Sequence, residues 1–220
     1  MDIITLTDIH GYAPGIDRIS DQLAAADLVV LAGDITQFGG TSAAKRIIHH
    51  IRKHTPRILA VSGNCDYPEV EAWLNEEGLS LHCQCKRVHG IQFTGIGGSL
   101  PCPGLTPNEM TENQFKRCSE QLASGLSVTE PHILVTHQPP FQTMNDTTTD
   151  GNHVGSQSIR QLIEDVKPMM CITGHIHEGA GIDTIGSTRV FNPGPFFGGY
   201  YGCITIGRQI EFMEIRSYSS

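Results

Sequence analysis

Short apolar runs recur along the chain, each closed by a polar cluster: Ile3 to Leu6, Leu28 to Leu31, Ile58 to Val61, Ile133 to Val135 and Met169 to Ile172. Runs of this length bounded by turn residues predict buried strands. Helical patterning occupies Ile16 to Ala26, Thr41 to Lys53, Pro68 to Glu77 and Ser156 to Val166. The early chain therefore reads βαβαβα, the alternation of a mostly parallel sheet. After Leu79 the runs shorten, at Lys86 to His89, Ile91 to Gly95, Thr188 to Phe191, Tyr201 to Ile206 and Gln209 to Ile215, and predict antiparallel hairpins forming a second sheet. The Pro- and Gly-rich stretch Gly97 to Pro107 and the polar stretch Gln142 to Asn152 are too long for plain connections, so they are expected to wall a site.

Length and charge narrow this picture. A chain of 220 residues suits one full-sized α/β domain with a buried core. A formal charge of -8 argues against extended nucleic-acid binding, which calls for a basic face, and leaves a small substrate as the expected partner. No apolar run approaches the roughly 18 residues of a spanning helix, and the first residues read as a strand rather than a signal peptide. No membrane association is expected, and the cytoplasm is the expected location; homo-oligomerisation is left open. The 7 cysteines are scattered and odd in number, which predicts reduced thiols rather than a disulfide framework. Cys83 and Cys85, beside His82, could bind zinc, but no second pair stands at zinc-finger spacing.

In open α/β sheets ligands bind beyond the carboxyl ends of the strands. Those ends share one theme. Asp8 and His10 follow the first run, Gly33 and Asp34 the second, Gly63, Asn64, Cys65 and Asp66 the third, His137 the fourth, and Gly174, His175 and His177 the fifth. An Asp after a strand is commonly a turn former or helix cap, and a lone His is commonly structural. Their coincidence at every strand end favours a metal site.

Four imidazoles, two carboxylates and one amide oxygen are too many donors for one ion, and the set suits two borderline divalent cations such as Mn, Fe, Zn or Co. Two such ions about 4 Å apart repel by on the order of 15 kcal/mol at an effective dielectric near 20, so an anion must lie between them. Asp34 is the candidate bridge. A bridging hydroxide, formed as the ions lower the pKa of bound water towards roughly 7, would be the nucleophile.

The motifs Asp8-Ile9-His10, Gly33-Asp34, Gly63-Asn64-Cys65-Asp66, Thr136-His137 and Gly174-His175-Ile176-His177 resemble, in order, those of the calcineurin-like metallophosphoesterase superfamily. Asn192-Pro193-Gly194 resembles that family's late loop returning to the site. The resemblance implies an α/β fold, a four-layer α-β-β-α sandwich of two mixed sheets flanked by helices. It also implies that Asp8, His10 and His177 hold one ion, that Asn64, His137 and His175 hold the other, and that Asp34 is shared. Asp66 would orient a ligand.

Cys65 departs from the many phosphomonoesterases of the superfamily that carry His there, and the Gly-Asn-Cys-Asp sequence resembles the small bacterial and archaeal phosphodiesterase branch. A thiol is a poorer proton donor to a leaving alkoxide than an imidazole, so a small phosphodiester is the expected substrate, with Asp34, Asn64, Cys65 and Asp66 as catalytic candidates. Cys65 could equally pack as a small apolar residue. The alternatives are a phosphomonoesterase or protein phosphatase of the same fold, and a catalytically silent scaffold that keeps the fold. His153, inside a wall segment, is a candidate substrate contact. Phe141, Tyr67, Phe196, Phe197 and Tyr200 are candidates for stacking on a base or aryl group, Phe196 and Phe197 foremost.

Overall fold

The computed structural model describes residues 1–127 and 129–218. Two mixed sheets lie face to face. One has the order β11-β10-β1-β2-β3, formed by Ile210–Ser217, Tyr200–Ile206, Asp2–Leu6, Leu28–Ala32 and Ile58–Val61. The other has the order β4-β5-β6-β7-β9-β8, formed by Cys85–Val88, Ile91–Ile96, His132–Thr136, Met170–Ile172, Thr188–Asn192 and Gly181–Ile185. Helices α1 (Pro14–Arg18), α2 (Ser20–Ala25), α3 (Thr41–Arg52) and α4 (Pro68–Glu76) follow the strands of the first sheet, and α5 (Glu112–Gly125) and α6 (Gln157–Val166) those of the second.

The period-2 alternation of the strands divides three apolar layers. Ile4, Leu6, Val29 and Leu31 face the core shared with α1 to α4. Ile3, Leu28, Val30, Ile133, Val135, Met170 and Ile172 fill the space between the sheets. Leu134 and Cys171 turn the other way, towards Phe115, Leu122, Ile159 and Ile163 of α5 and α6. This is the expected four-layer sandwich. Helix α3 shows the pattern clearly, burying Ala44, Ile47, Ile48 and Ile51 at one-turn spacing.

Several expectations are corrected. The apolar runs do not build one sheet and the later runs a second: β6 and β7 join β4 and β5, with β5 parallel to β6, while β10 pairs antiparallel with β1 of the first sheet. Apolar content marks a strand as buried but carries no information on its partner. The helix expected over Ile16 to Ala26 breaks at Ile19 into α1 and α2. Helix α5 and strand β8 lie outside the elements that the apolar pattern predicts. Helix α5 buries only Phe115, Cys118, Ser119 and Leu122, too sparse an apolar stripe to stand out, although the Thr111/Gln114 capping box marks its start. Strand β8 is an edge strand with alternate positions open to solvent. The expectation of reduced thiols throughout fails at one pair, since Cys83 and Cys118 are joined by a disulfide. That bond also takes Cys83 out of the considered zinc pair with Cys85, which is a free thiol.

Candidate metal centre

The carboxyl ends of β1, β2, β3, β6 and β7 meet on one edge of the sandwich, and the polar residues after each converge there. His177 Nε2 lies 3.2 Å from Asp8 Oδ1, while His10 Nε2 lies 3.9 Å from Asp8 Oδ1 and 3.7 Å from Asp34 Oδ2. On the other side of Asp34, His137 Nε2 stands 3.4 Å from Oδ1. The rings of His137 and His175 are 5.0 Å apart. Asp8, Asp34, Asn64 and His137 are all buried.

The backbone is bent to present these groups. Asp8 (φ 52), His10 (φ 47), Asp34 (φ 48) and His175 (φ 69) all occupy the left-handed region that residues with a Cβ avoid. Such a conformation is held by its surroundings and gathers at functional sites. The glycines serve the same end, although only one by a left-handed turn. Gly33 has φ +93 and packs against the His137 ring. Gly63 and Gly174 are needed for space: a Cβ on Gly63 would collide with Asp34 and one on Gly174 with Thr7 Oγ1.

A second set of contacts holds the set in place. Asp66 is fully buried and accepts hydrogen bonds from the backbone N–H groups of Ile35 (3.1 Å), Thr36 (2.7 Å) and Gly63 (2.8 Å), tying the loop after β2 to the loop after β3. The Cys65 N–H donates to Asp34 Oδ1 at 2.8 Å. The late loop does return: Phe197 N–H donates to the Asp8 carbonyl at 3.2 Å, and Asn192 Nδ2 to the Ile176 carbonyl at 2.9 Å.

The donor chemistry asks for cations. His137 Nδ1 donates to the Ala32 carbonyl at 2.9 Å, which leaves Nε2 facing Asn64 Oδ1 at 2.9 Å and Asp34 Oδ1. Asn64 directs its Nδ2 at the Cys65 sulfur, 3.6 Å away, so the atoms that converge between Asn64, Asp34 and His137 are acceptors. Only a proton or a cation can reconcile them. In the bare chain it is a proton: burial works against it, but the charge of Asp34 prevails and lifts His137 to about 9. At His175 burial prevails over the pull of Asp34 and, together with the charge on His137, pushes it down to about 4. Burial would raise Asp8 and Asp34, yet the surrounding imidazoles hold both below the usual carboxylate range. Among the described residues, the ion-pair partners of these two buried carboxylates are histidines alone. His10 Nδ1 is buried and has no hydrogen-bond partner among the described residues. Buried carboxylates ringed by imidazole nitrogens that can give up a proton to become ligands fit divalent cations.

Cys65 is both buried and in the site, with its sulfur within 4.8 Å of ligand atoms of His10 and Asp34. Burial and then the charge of Asp34 push its thiol up. The structure adds residues that motif reading did not single out. Thr7 Oγ1 donates to Asp8 Oδ2 at 2.7 Å, Asn108 Nδ2 donates to the Gly63 carbonyl at 2.9 Å, and Cys102 Sγ lies 3.7 Å from His175 Nε2. Asn108 and Cys102 lie in or just past the stretch expected to wall the site, and that was their only signal. The second wall segment packs on the turn at His177, with Asn145 Nδ2 donating to the Gly179 carbonyl at 2.8 Å. His153, one residue past that segment, is held by the buried Asp146 at 2.7 Å. Of the aromatic candidates, Phe196 is buried as a loop anchor, whereas Phe197 is exposed and stands edge-on to His10 and His177 at 5.2 and 5.3 Å.

Two face-to-face mixed sheets flanked by helices, with a metal-ligand cluster at the strand ends, define the metallophosphoesterase fold. The chain belongs to the calcineurin-like phosphoesterase superfamily, whose domain matches residues 1–202. That family is typically dimetal-dependent. An uncharacterized protein of Methanocaldococcus jannaschii, MJ1162, is 39% identical over 199 residues, covering 89% of this chain and 88% of that protein. Among solved structures, TT1561 of Thermus thermophilus superposes with a TM-score of 0.73 at 14% identity, covering 99% of this chain and 98% of that one. A dimetal phosphatase from Danio rerio gives 0.63 at 10% identity, covering 100% and 99%. At such identities these two establish the fold alone.

Proposed function

We propose that the chain is a dinuclear metal-dependent phosphoesterase acting on small phosphodiesters. The observation that carries this reading is the convergence of acceptor atoms on Asp34, with His10 on one side and His137 and Asn64 on the other. Asp8, His10 and His177 would hold one divalent ion, Asn64, His137 and His175 the second, and Asp34 both. Bound there, Mn, Fe, Zn or Co ions would supply Lewis acidity and a water activated near neutral pH. The chain's own part is positioning. The buried bond from His137 Nδ1 to the Ala32 carbonyl keeps Nε2 free to ligate, and Asp66 keeps the loops bearing Asp34 and Asn64 in register.

The diester preference is supported by Cys65. A thiol stands beside Asp34 and His10, and a thiol is a weak acid for protonating a departing alkoxide. Diesters whose leaving group departs readily suit this site better. The free thiols Cys65, Cys85, Cys102, Cys171 and Cys203 support a cytoplasmic location and the Cys83–Cys118 disulfide counts against it, so fractionation of the source cells is the check.

The test compares bis(p-nitrophenyl) phosphate with p-nitrophenyl phosphate on manganese-loaded protein. Higher kcat/KM for the diester is expected. A monoester preference would overturn the diester assignment, and turnover of neither would overturn the enzyme.

A further inference from the structure

A cavity of about 590 Å³ opens beside His10, bounded by the loop after β1, the loop after β2 and helix α3. Arg46, Lys53 and Gln37 line it together with Lys45, whose Nζ lies over the Trp73 ring, and among the described residues no carboxylate does. Asp17 approaches α3 from α1, where it is bonded by His50 Nε2 at 2.7 Å and also feels the charge of Lys53. Among the described residues Arg46 reaches only the Ser42 carbonyl, at 3.3 Å, and neither Arg46 nor Lys53 forms an ion pair. In a chain of formal charge -8, a cluster of cations without a close ion pair beside the metal centre is a local reversal of sign. A concave wall of one sign focuses its field on anions. Arg46 and Lys53 are about two helical turns apart, roughly 10 Å along the axis, so an anion that meets both with its ester at His10 is longer than one phosphoryl group.

We propose that this cavity binds a second phosphate-bearing part of the substrate, so that the substrate class is an ester carrying an oligophosphate. This assignment rests on the phosphoesterase reading. Arg46 and Lys53 determine specificity and take no part in the chemistry at Asp34.

Binding is measured on metal-free protein, by fluorescence anisotropy of N-methylanthraniloyl ATP against the AMP analogue. The triphosphate should bind the wild type more tightly than the monophosphate. R46Q/K53Q should lose about fivefold to tenfold of the triphosphate affinity, as two partly screened charge contacts can supply. Both positions are exposed, Arg46 within α3, which Gln continues well, and Lys53 at its C-cap, and circular dichroism confirms folding. K116Q/R208Q removes the same charge elsewhere and should bind as the wild type does. Equal triphosphate affinity in wild type and R46Q/K53Q overturns the assignment, as does an equal loss in K116Q/R208Q. Hydrolysis of bis(p-nitrophenyl) phosphate by manganese-loaded wild type is assayed in parallel. Its absence overturns the phosphoesterase reading and with it the substrate class, whereas hydrolysis with unaltered variant binding overturns the substrate class alone.

Discussion

Asp66 Oδ1 receives both the N–H and the hydroxyl of Thr36, each at 2.7 Å, in a pocket closed to solvent. Burial and the nearby charge of Asp34 lift Asp66 to about 7, so it is held by these donors against its electrostatic surroundings. Asp66→Ala leaves buried donors on Ile35, Thr36 and Gly63 without a partner and is expected to lower stability by about 3 kcal/mol or more. Urea unfolding of the metal-free protein measures it. Asp66→Asn, which keeps one acceptor oxygen, should lose less.

Asp34→Asn removes the carboxylate shared between the two halves of the site. Metal content after loading should fall from two ions towards one, and kcat should drop by at least about 100-fold. Plasma mass spectrometry and steady-state kinetics give the two values. Full occupancy with unchanged turnover would show that Asp34 is not the bridge.

Cys65→His places an imidazole where the sulfur now faces Asp34 and His10. Monoesterase turnover should rise relative to diesterase turnover by about tenfold, within the range of general-acid catalysis. A constant ratio would count against the leaving-group explanation for Cys65.

His132, at the opposite end of β6 from the metal centre, is buried, with Nε2 2.6 Å from Thr94 Oγ1 and, among the described residues, no partner for Nδ1. Burial pushes it from 6.5 down to about 4. The folded state thus binds fewer protons than the unfolded state, so its contribution is complete above pH 6.5 and is lost as pH falls towards 4. The loss can reach about 3 kcal/mol. His132→Gln should flatten the acid limb of the stability curve between those values. A limb as steep as that of the wild type would exclude His132 as its source.

The Cys83–Cys118 disulfide closes a loop of sequence separation 35 between the chain before β4 and helix α5. Cys118→Ala should lower the unfolding free energy by about 2 to 4 kcal/mol under non-reducing conditions. Non-reducing peptide mapping of the wild type should recover the linked pair.

The motif residues were legible in the sequence because each sits immediately after an apolar run. A strand in a layered sheet must end at an edge, and the residue after it is delivered there whatever its neighbours are. Asp8, Asp34, Asn64, His137 and His175 could therefore be picked out as a set, and so could the two kinds of sheet strand. Tertiary structure alone decided which strands pair. Strand β6 could have joined β3 or β5 on apolar content, and only packing of three layers selects β5, as it brings β10 back against β1. It also decided the orientation of His137, whose Nδ1 finds the Ala32 carbonyl across 105 residues of sequence. The same holds for the bond between Cys83 and Cys118 and for the cationic cavity beside His10, because local pattern records a residue's own burial and says nothing of which distant atoms it will meet.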